Sequence, residues 1–152
     1  MKKLLIPTLV LCLMCMVASC SHSKKEVVET PNVETPSSQD SLEIQSLTVD
    51  YLEALHANRI EEAVAMFHLI RNDSVVDLPE DNARQLVSQC KMFPVLRYHV
   101  DDMKFNNLSD CEVYYTIHFF EKEPDDPTPN TMSFGLHPRK LNGVWYLTPL
   151  TK

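Results

Sequence analysis

Six histidines, five cysteines and 21 acids are the side chains with which this 152-residue chain could do chemistry, and their spacing closes most routes. His56 and His68 fall on separate expected helices. No His-x-x-x-His or Cys-x-x-Cys pair offers a metal two ligands from one element. Glu121, Glu123, Asp125 and Asp126 crowd one segment without the ordered acids, glycine and distal glutamate of a calcium loop, so they read as a solvated charge cluster. There is no Gly-x-Ser-x-Gly elbow, and the two glycines, Gly135 and Gly143, are too few for a phosphate cradle. No metal and no cofactor are expected. General acid–base work is the route left open. His99, Asp101, Asp102 and His118 lie on segments that read as strands, and an aspartate turned into an apolar interior has a raised pKa and can act as a base. Asp101, Asp102 and His118 are therefore the catalytic candidates. Each has a plainer reading: Asp101-Asp102 as a bulge or surface turn, and His118 as an outward residue sharing a strand face with Tyr114 and Thr116.

The elements that must position these groups follow from hydrophobic period. The first fifty residues contain no aromatic side chain, and the break places the start of the packed domain near residue 40. Ile44, Leu47, Tyr51, Leu52 and Leu55 recur at helical spacing, predicting a helix over 41–57 capped by Asp40 with Glu43 three residues on and ended at Ala57-Asn58. Ile60, Ala63, Val64 and Phe67 predict a second helix over 59–70. Pro79 suits a first helical turn, and Leu86, Val87, Cys90 and Phe93 give a third apolar stripe that Pro94 stops. After Pro94 the period becomes two. Val95 to Phe105 reads as a strand whose alternation slips at Asp101-Asp102. Cys111 to Phe120 alternates most cleanly, with Val113, Tyr115, Ile117 and Phe119 on one face. Thr131–His137 and Val144–Thr148 follow, the last hairpin turning at Asn142-Gly143. The loop Glu121–Asn130, with Pro124, Pro127 and Pro129, is a stiff acidic connection. Helices followed by antiparallel strands define an α+β domain, one curved sheet of about four strands covered on one side.

The first twenty residues have a different character. Lys2 and Lys3 precede an apolar run from Leu4 to Val17, broken only by Pro7 and Thr8, and small residues then lead to Cys20. Val17-Ala18-Ser19-Cys20 resembles the bacterial lipobox. The resemblance implies cleavage before Cys20, acylation of its thiol with diacylglycerol and palmitate-type chains, and a lipid-anchored protein of the bacterial cell envelope. Ser21 in place of aspartate favours the outer membrane. Removing residues 1–19 takes away two lysines and no acid, leaving 133 residues with 12 basic against 21 acidic side chains, a net of −9. Such a surface excludes nucleic acid as a partner and gains nothing from an anionic bilayer, so membrane attachment rests on the lipid. Residues 20–40, with the repeat Val28-Glu29-Thr30-Pro31 and Val33-Glu34-Thr35-Pro36, read as a disordered tether. Cys90 and Cys111 are the remaining cysteines. An exported domain permits a disulfide between them, and two separately buried thiols are the other reading.

Residues 48–67 and the segment Gly143-Val144-Trp145-Tyr146-Leu147 resemble the opening helix pair and final hairpin of the nuclear-transport-factor-2-like, or cystatin-like, α+β superfamily. The resemblance covers 41–152 and implies a cone-shaped cavity between helices and sheet. Some members use the cone for isomerase, dehydratase or cyclase chemistry, and others bind ligands or dimerise. Phe67, Tyr115, Phe134 and Trp145 are the expected pocket residues. The uncovered face bearing Tyr114, Thr116 and His118, with Phe120 at its end, is the expected homodimer surface. The favoured reading is a non-catalytic domain that binds a ligand or protein partner. The alternative is a cyclase- or isomerase-type enzyme using Asp101 or Asp102.

Overall fold

The structure is a computed structural model and describes residues 35–149; the lipobox and most of the expected tether lie outside that range. Helix α1 spans Ser38–His56 and is started by a reciprocal capping box. The Ser37 hydroxyl accepts from the Asp40 backbone N–H at 3.1 Å, and the Asp40 carboxylate accepts from the Ser37 N–H at 2.9 Å. The cap thus sits three residues earlier than the sequence suggests, with Asp40 inside the first turn. Glu43 takes no part in it and accepts from the Gln39 amide at 3.0 Å. The reason for the shift is tertiary. Asp40 is buried, and its other oxygen accepts from the Trp145 indole N–H at 2.9 Å and from the Lys140 ammonium.

The inward stripe of α1 carries Ile44, Thr48, Tyr51, Leu52 and Leu55. Thr48 is fully buried and stays satisfied because its hydroxyl donates to the Ile44 carbonyl at 2.8 Å. Asn58, at φ 58°, takes the left-handed position that ends the turn. Helix α2, Ile60–Ala65, is shorter than the expected 59–70. From His68 the chain forms a two-stranded hairpin, β1 (His68–Arg71) and β2 (Ser74–Asp77), in which Leu69 pairs with Val76. Asn72 and Asp73 both have positive φ, the backbone of a two-residue type I′ turn, and this turn chemistry overrides the helical spacing that reached as far as Phe67. Helix α3, Glu80–Met92, begins immediately after Pro79.

The main sheet is antiparallel with order β3-β4-β5-β6: Arg97–Asn107, Asp110–His118, Thr131–Leu141 and Val144–Thr148. Cys111, Val113, Tyr115 and Ile117 point into the core, and Glu112, Tyr114, Thr116 and His118 point away. Phe67 makes a parallel bridge to Leu147, joining the stretch after α2 to the sheet edge. The proline-rich loop is closed at its base by Asn130, whose amide donates to the Phe120 carbonyl at 3.0 Å. The last turn, Asn142-Gly143, has positive φ at both residues, as the hairpin reading requires. Cys90 and Cys111 are free thiols. The architecture is α+β, with helices over one face of a curved antiparallel sheet.

Three donors hold the Asp40 carboxyl well below the usual carboxylate range, the Lys140 ammonium first, then the Trp145 N–H and the Ser37 cap. A depressed folded pKa means that the stabilisation is complete above the unfolded value of about 4 and is lost as the pH falls towards the folded value. Asp40→Asn should lower unfolding free energy by about 2–4 kcal/mol at neutral pH in urea titrations. It should also flatten the acid limb of the stability curve below about pH 4. A variant as stable as the parent at neutral pH would contradict this account.

Candidate functional site

A cavity of about 540 Å³ lies between the helices and the concave face of the sheet. Helix α1 contributes Tyr51 and Leu55, α3 contributes Leu86, Gln89, Cys90 and Met92, and β4 and β5 supply Tyr115 and Phe134. Each is there because its position on its element is inward: Tyr51 and Leu55 are one helical turn apart, and Tyr115 pairs across the sheet with Phe134. The rings form a continuous wall. Phe67 meets Tyr51 edge-on at 5.3 Å, Tyr51 meets Tyr115 at 6.3 Å, and Tyr115 stacks on Phe134 at 5.7 Å. Phe93 extends it, 6.3 Å from Phe134 and 5.9 Å from Phe119. Helix α3, the outer wall, has no fully buried residue: Leu86 and Cys90 are half-buried there, and Gln89 and Met92 are exposed.

Among the described residues, no aspartate, glutamate, histidine, lysine or arginine lines the cavity. Its polar groups are the hydroxyls of Tyr51, Tyr115 and Thr148, the Cys90 thiol and the Gln89 amide. Burial is the main cause that raises the Tyr51 phenol far above its ordinary value, with Tyr115 and Cys90 beside it adding to the shift. Burial likewise pushes Tyr115 up to about 12 and raises the Cys90 thiol. The site holds these groups neutral and disfavours anions.

Of the expected pocket residues, Phe67, Tyr115 and Phe134 line this cavity. Trp145 does not. It is committed to Asp40 and packs edge-on against Phe105 at 6.0 Å. The acid–base candidates are also elsewhere. Val100 pairs with Tyr115 and Asp102 with Tyr114, so Asp101 is the extra residue of a β-bulge. Its carboxylate accepts from the Thr116 hydroxyl at 2.7 Å. That donation uses Thr116's only proton, so Ser133, 2.9 Å away, donates to Thr116. His99 lies 4.0 Å from Asp101. Asp102 accepts from the Met103 N–H at 2.8 Å. His118 is half-buried on the same outer face, with its Nδ1 shielded and without a hydrogen-bond partner among the described residues. The outer face thus gathers Asp101, Asp102, His99, His118, Thr116 and the exposed Tyr114, while the cavity on the other side has none of them.

Tyr51 and Cys90 were legible only as apolar-stripe residues. The available signal for a site was a hydroxyl-bearing aromatic on an inward helical stripe, since a buried tyrosine needs a partner for its O–H.

No family model matches the chain, and no curated protein matches it. Solved structures do resemble it. A protein of unknown function with a cystatin-like fold from Nostoc punctiforme superposes with a TM-score of 0.50 at 20% identity, covering 75% of this chain and 90% of its own. Aln2 from a Streptomyces species superposes with a TM-score of 0.53 at 14% identity, covering 76% and 90%. A Campylobacter jejuni protein bearing the name NTF2-like transpeptidase gives a TM-score of 0.48 at 12% identity, covering 70% and 98%. The chain has a cystatin-like fold.

The tyrosines provide a direct check. Tyr115 should ionise near pH 12, and so should Tyr98, whose hydroxyl donates to Glu53. A phenol held neutral by the fold contributes stability that is complete below the unfolded value of about 10 and is lost as the pH rises towards the folded value. Tyr51→Phe should therefore flatten the alkaline limb of the stability curve, followed by phenolate absorbance together with circular dichroism. An unchanged limb would contradict a buried, neutral Tyr51.

Proposed function

We propose that this chain is a lipid-anchored cell-envelope protein whose cone cavity binds a small, largely apolar ligand without catalysing a reaction on it. The carrying observation is the cavity of about 540 Å³, walled by aromatic rings and, among the described residues, free of acids, histidines and bases. Its volume is within the ordinary range for small-molecule sites, and an apolar lining with few polar groups is what such sites present. Acid–base catalysis near neutral pH needs a group that titrates there, and the lining residues offer only phenols and a thiol with raised pKa values. Asp101 and Asp102, the bases of the enzymatic alternative, are on the far side of the sheet.

The anchor rests on Val17-Ala18-Ser19-Cys20 and on the proline-rich, polar stretch that follows it. Among the described residues no helix is long and apolar enough to cross a membrane. The acylated Cys20 would supply the attachment.

Two outcomes are expected. The full chain should enhance the fluorescence of the neutral dye N-phenyl-1-naphthylamine. Leu86→Trp, which directs an indole from α3 into the cavity, should remove the enhancement while changing stability by no more than about 1 kcal/mol. Equal enhancement by both proteins would place the dye outside the cavity and remove the basis for this function. Cys20→Ser should abolish metabolic labelling with a fatty-acid probe and leave the precursor uncleaved. Undiminished labelling of that variant, or its cleavage like the parent, would defeat the anchor.

A further inference from the structure

The polar side chains that line the cavity are all neutral, and two of them are phenols whose hydroxyls face one another. Tyr98 and Tyr114 each donate to a carboxylate, Glu53 and Glu112 respectively. Tyr51 and Tyr115 are only 3% and 5% exposed, yet among the described residues neither hydroxyl donates to a carbonyl or a carboxylate. Their polar neighbours are each other and the Cys90 thiol. Each of these three groups carries one proton and can accept at least one. Linked in a line, the three leave one terminal proton for an acceptor from outside; closed in a ring, they would open to release one. An apolar ligand that covers that proton without accepting it leaves a buried donor unsatisfied, at a cost of about 1–3 kcal/mol. Thr148 adds no second free proton to the cavity, because its hydroxyl donates to the His137 carbonyl at 2.7 Å.

We propose that the cavity selects uncharged, mainly apolar molecules carrying one hydrogen-bond acceptor, a ketone, ester or ether oxygen, which takes the spare proton of the Tyr51–Tyr115 pair. This rests on the cavity being a ligand site, as argued above. An ionised carboxylate or ammonium is excluded because no lining side chain among the described residues carries a charge to replace its lost hydration. A pure hydrocarbon fits the aromatic wall but leaves the donor unsatisfied. The apolar body would lie along Phe67, Phe93 and Phe134, with its oxygen at the two hydroxyls.

Three probes of similar size separate these cases: 4-phenyl-2-butanone, n-butylbenzene and 4-phenylbutanoate, titrated calorimetrically into the full chain at neutral pH. The ketone should bind about fivefold more tightly than the hydrocarbon, the equivalent of one net hydrogen bond of about 1 kcal/mol. The carboxylate should bind at least about tenfold more weakly than the ketone. Tyr51→Phe with Tyr115→Phe should bring the ketone down to the hydrocarbon's affinity and leave the hydrocarbon unchanged. The ranking in the unsubstituted chain decides the matter even if the double variant folds poorly. Equal affinity for ketone and hydrocarbon overturns the acceptor-reading role and leaves the cavity as an apolar site. Tightest binding of the carboxylate overturns the exclusion of charge. Binding of none of the three removes the ligand-site reading as well.

Discussion

One carboxylate joins the two ends of this domain. Asp40 closes the capping box of α1 and, through its other oxygen, receives the Lys140 ammonium and the Trp145 indole N–H, a hundred residues further along. Lys140 and Trp145 face each other across the β5–β6 ladder, and the ammonium also lies 5.7 Å from the indole centroid. A buried charge is tolerated only where its lone pairs are filled, and here they are. The first turn of α1 is thereby set against the final hairpin, and the inward stripe of the helix, Tyr51 included, is aimed at the sheet. The cavity is a consequence: its α1 wall is positioned by a contact at the opposite end of the helix.

What the sequence makes visible divides along the range of the interactions. Helix α1, the clean alternation of β4 and the Asn142-Gly143 hairpin are local patterns, legible from period and turn residues, and the α+β class follows from their order. The β1–β2 hairpin escapes a reading by period because Ile60 to Phe67 keeps helical spacing right up to its start. Its own signal, Asn72-Asp73, is a weaker version of the Asn-Gly pair that marks the last hairpin. The Asp40 network is long-range and invisible to periodicity. Asp40 reads as a cap, and nothing in one sequence couples it to Lys140 and Trp145. The cavity is legible only in part for the same reason: alternation can show that Tyr115 and Phe134 point inward, but not whether the space they face is filled.

Packing explains why that space stays open. Helix α3 rests on the domain through Leu86, Val87, Cys90 and Phe93, each only partly buried, and no residue of it is fully enclosed. The wall between cavity and solvent is therefore the most weakly held of the three helices, with few apolar contacts to resist local opening. A ligand entering there would gain aromatic contact area while displacing little that was well packed. Close packing is concentrated instead around Ile44, Leu52, Val113 and Leu147, which are fully buried and carry the stability. Tyr51, Phe67, Tyr115 and Leu136 belong to both core and cavity lining, so the cavity is cut into one side of the core and is walled off from solvent only by α3.

The bulge at Asp101 decides which face of the sheet the two aspartates take. On β3, Tyr98 and Val100 face inward, so unbroken alternation would send Asp102 inward as well and Met103 out. One extra residue reverses this. Asp101 and Asp102 both stay on the outer face, and Met103 takes the inward place opposite Val113. An inward aspartate among Val113, Phe105 and Trp145 would have a raised pKa or would need a partner, and Lys140 is already engaged by Asp40. Outside, Asp101 has the Thr116 hydroxyl and Asp102 the Met103 N–H. The same fold with a regular β3 would present a carboxyl group to its interior, the starting point for a general base. With the bulge, both aspartates stay outside, and the polar side chains that line the cavity are phenols, a threonine hydroxyl, a thiol and an amide.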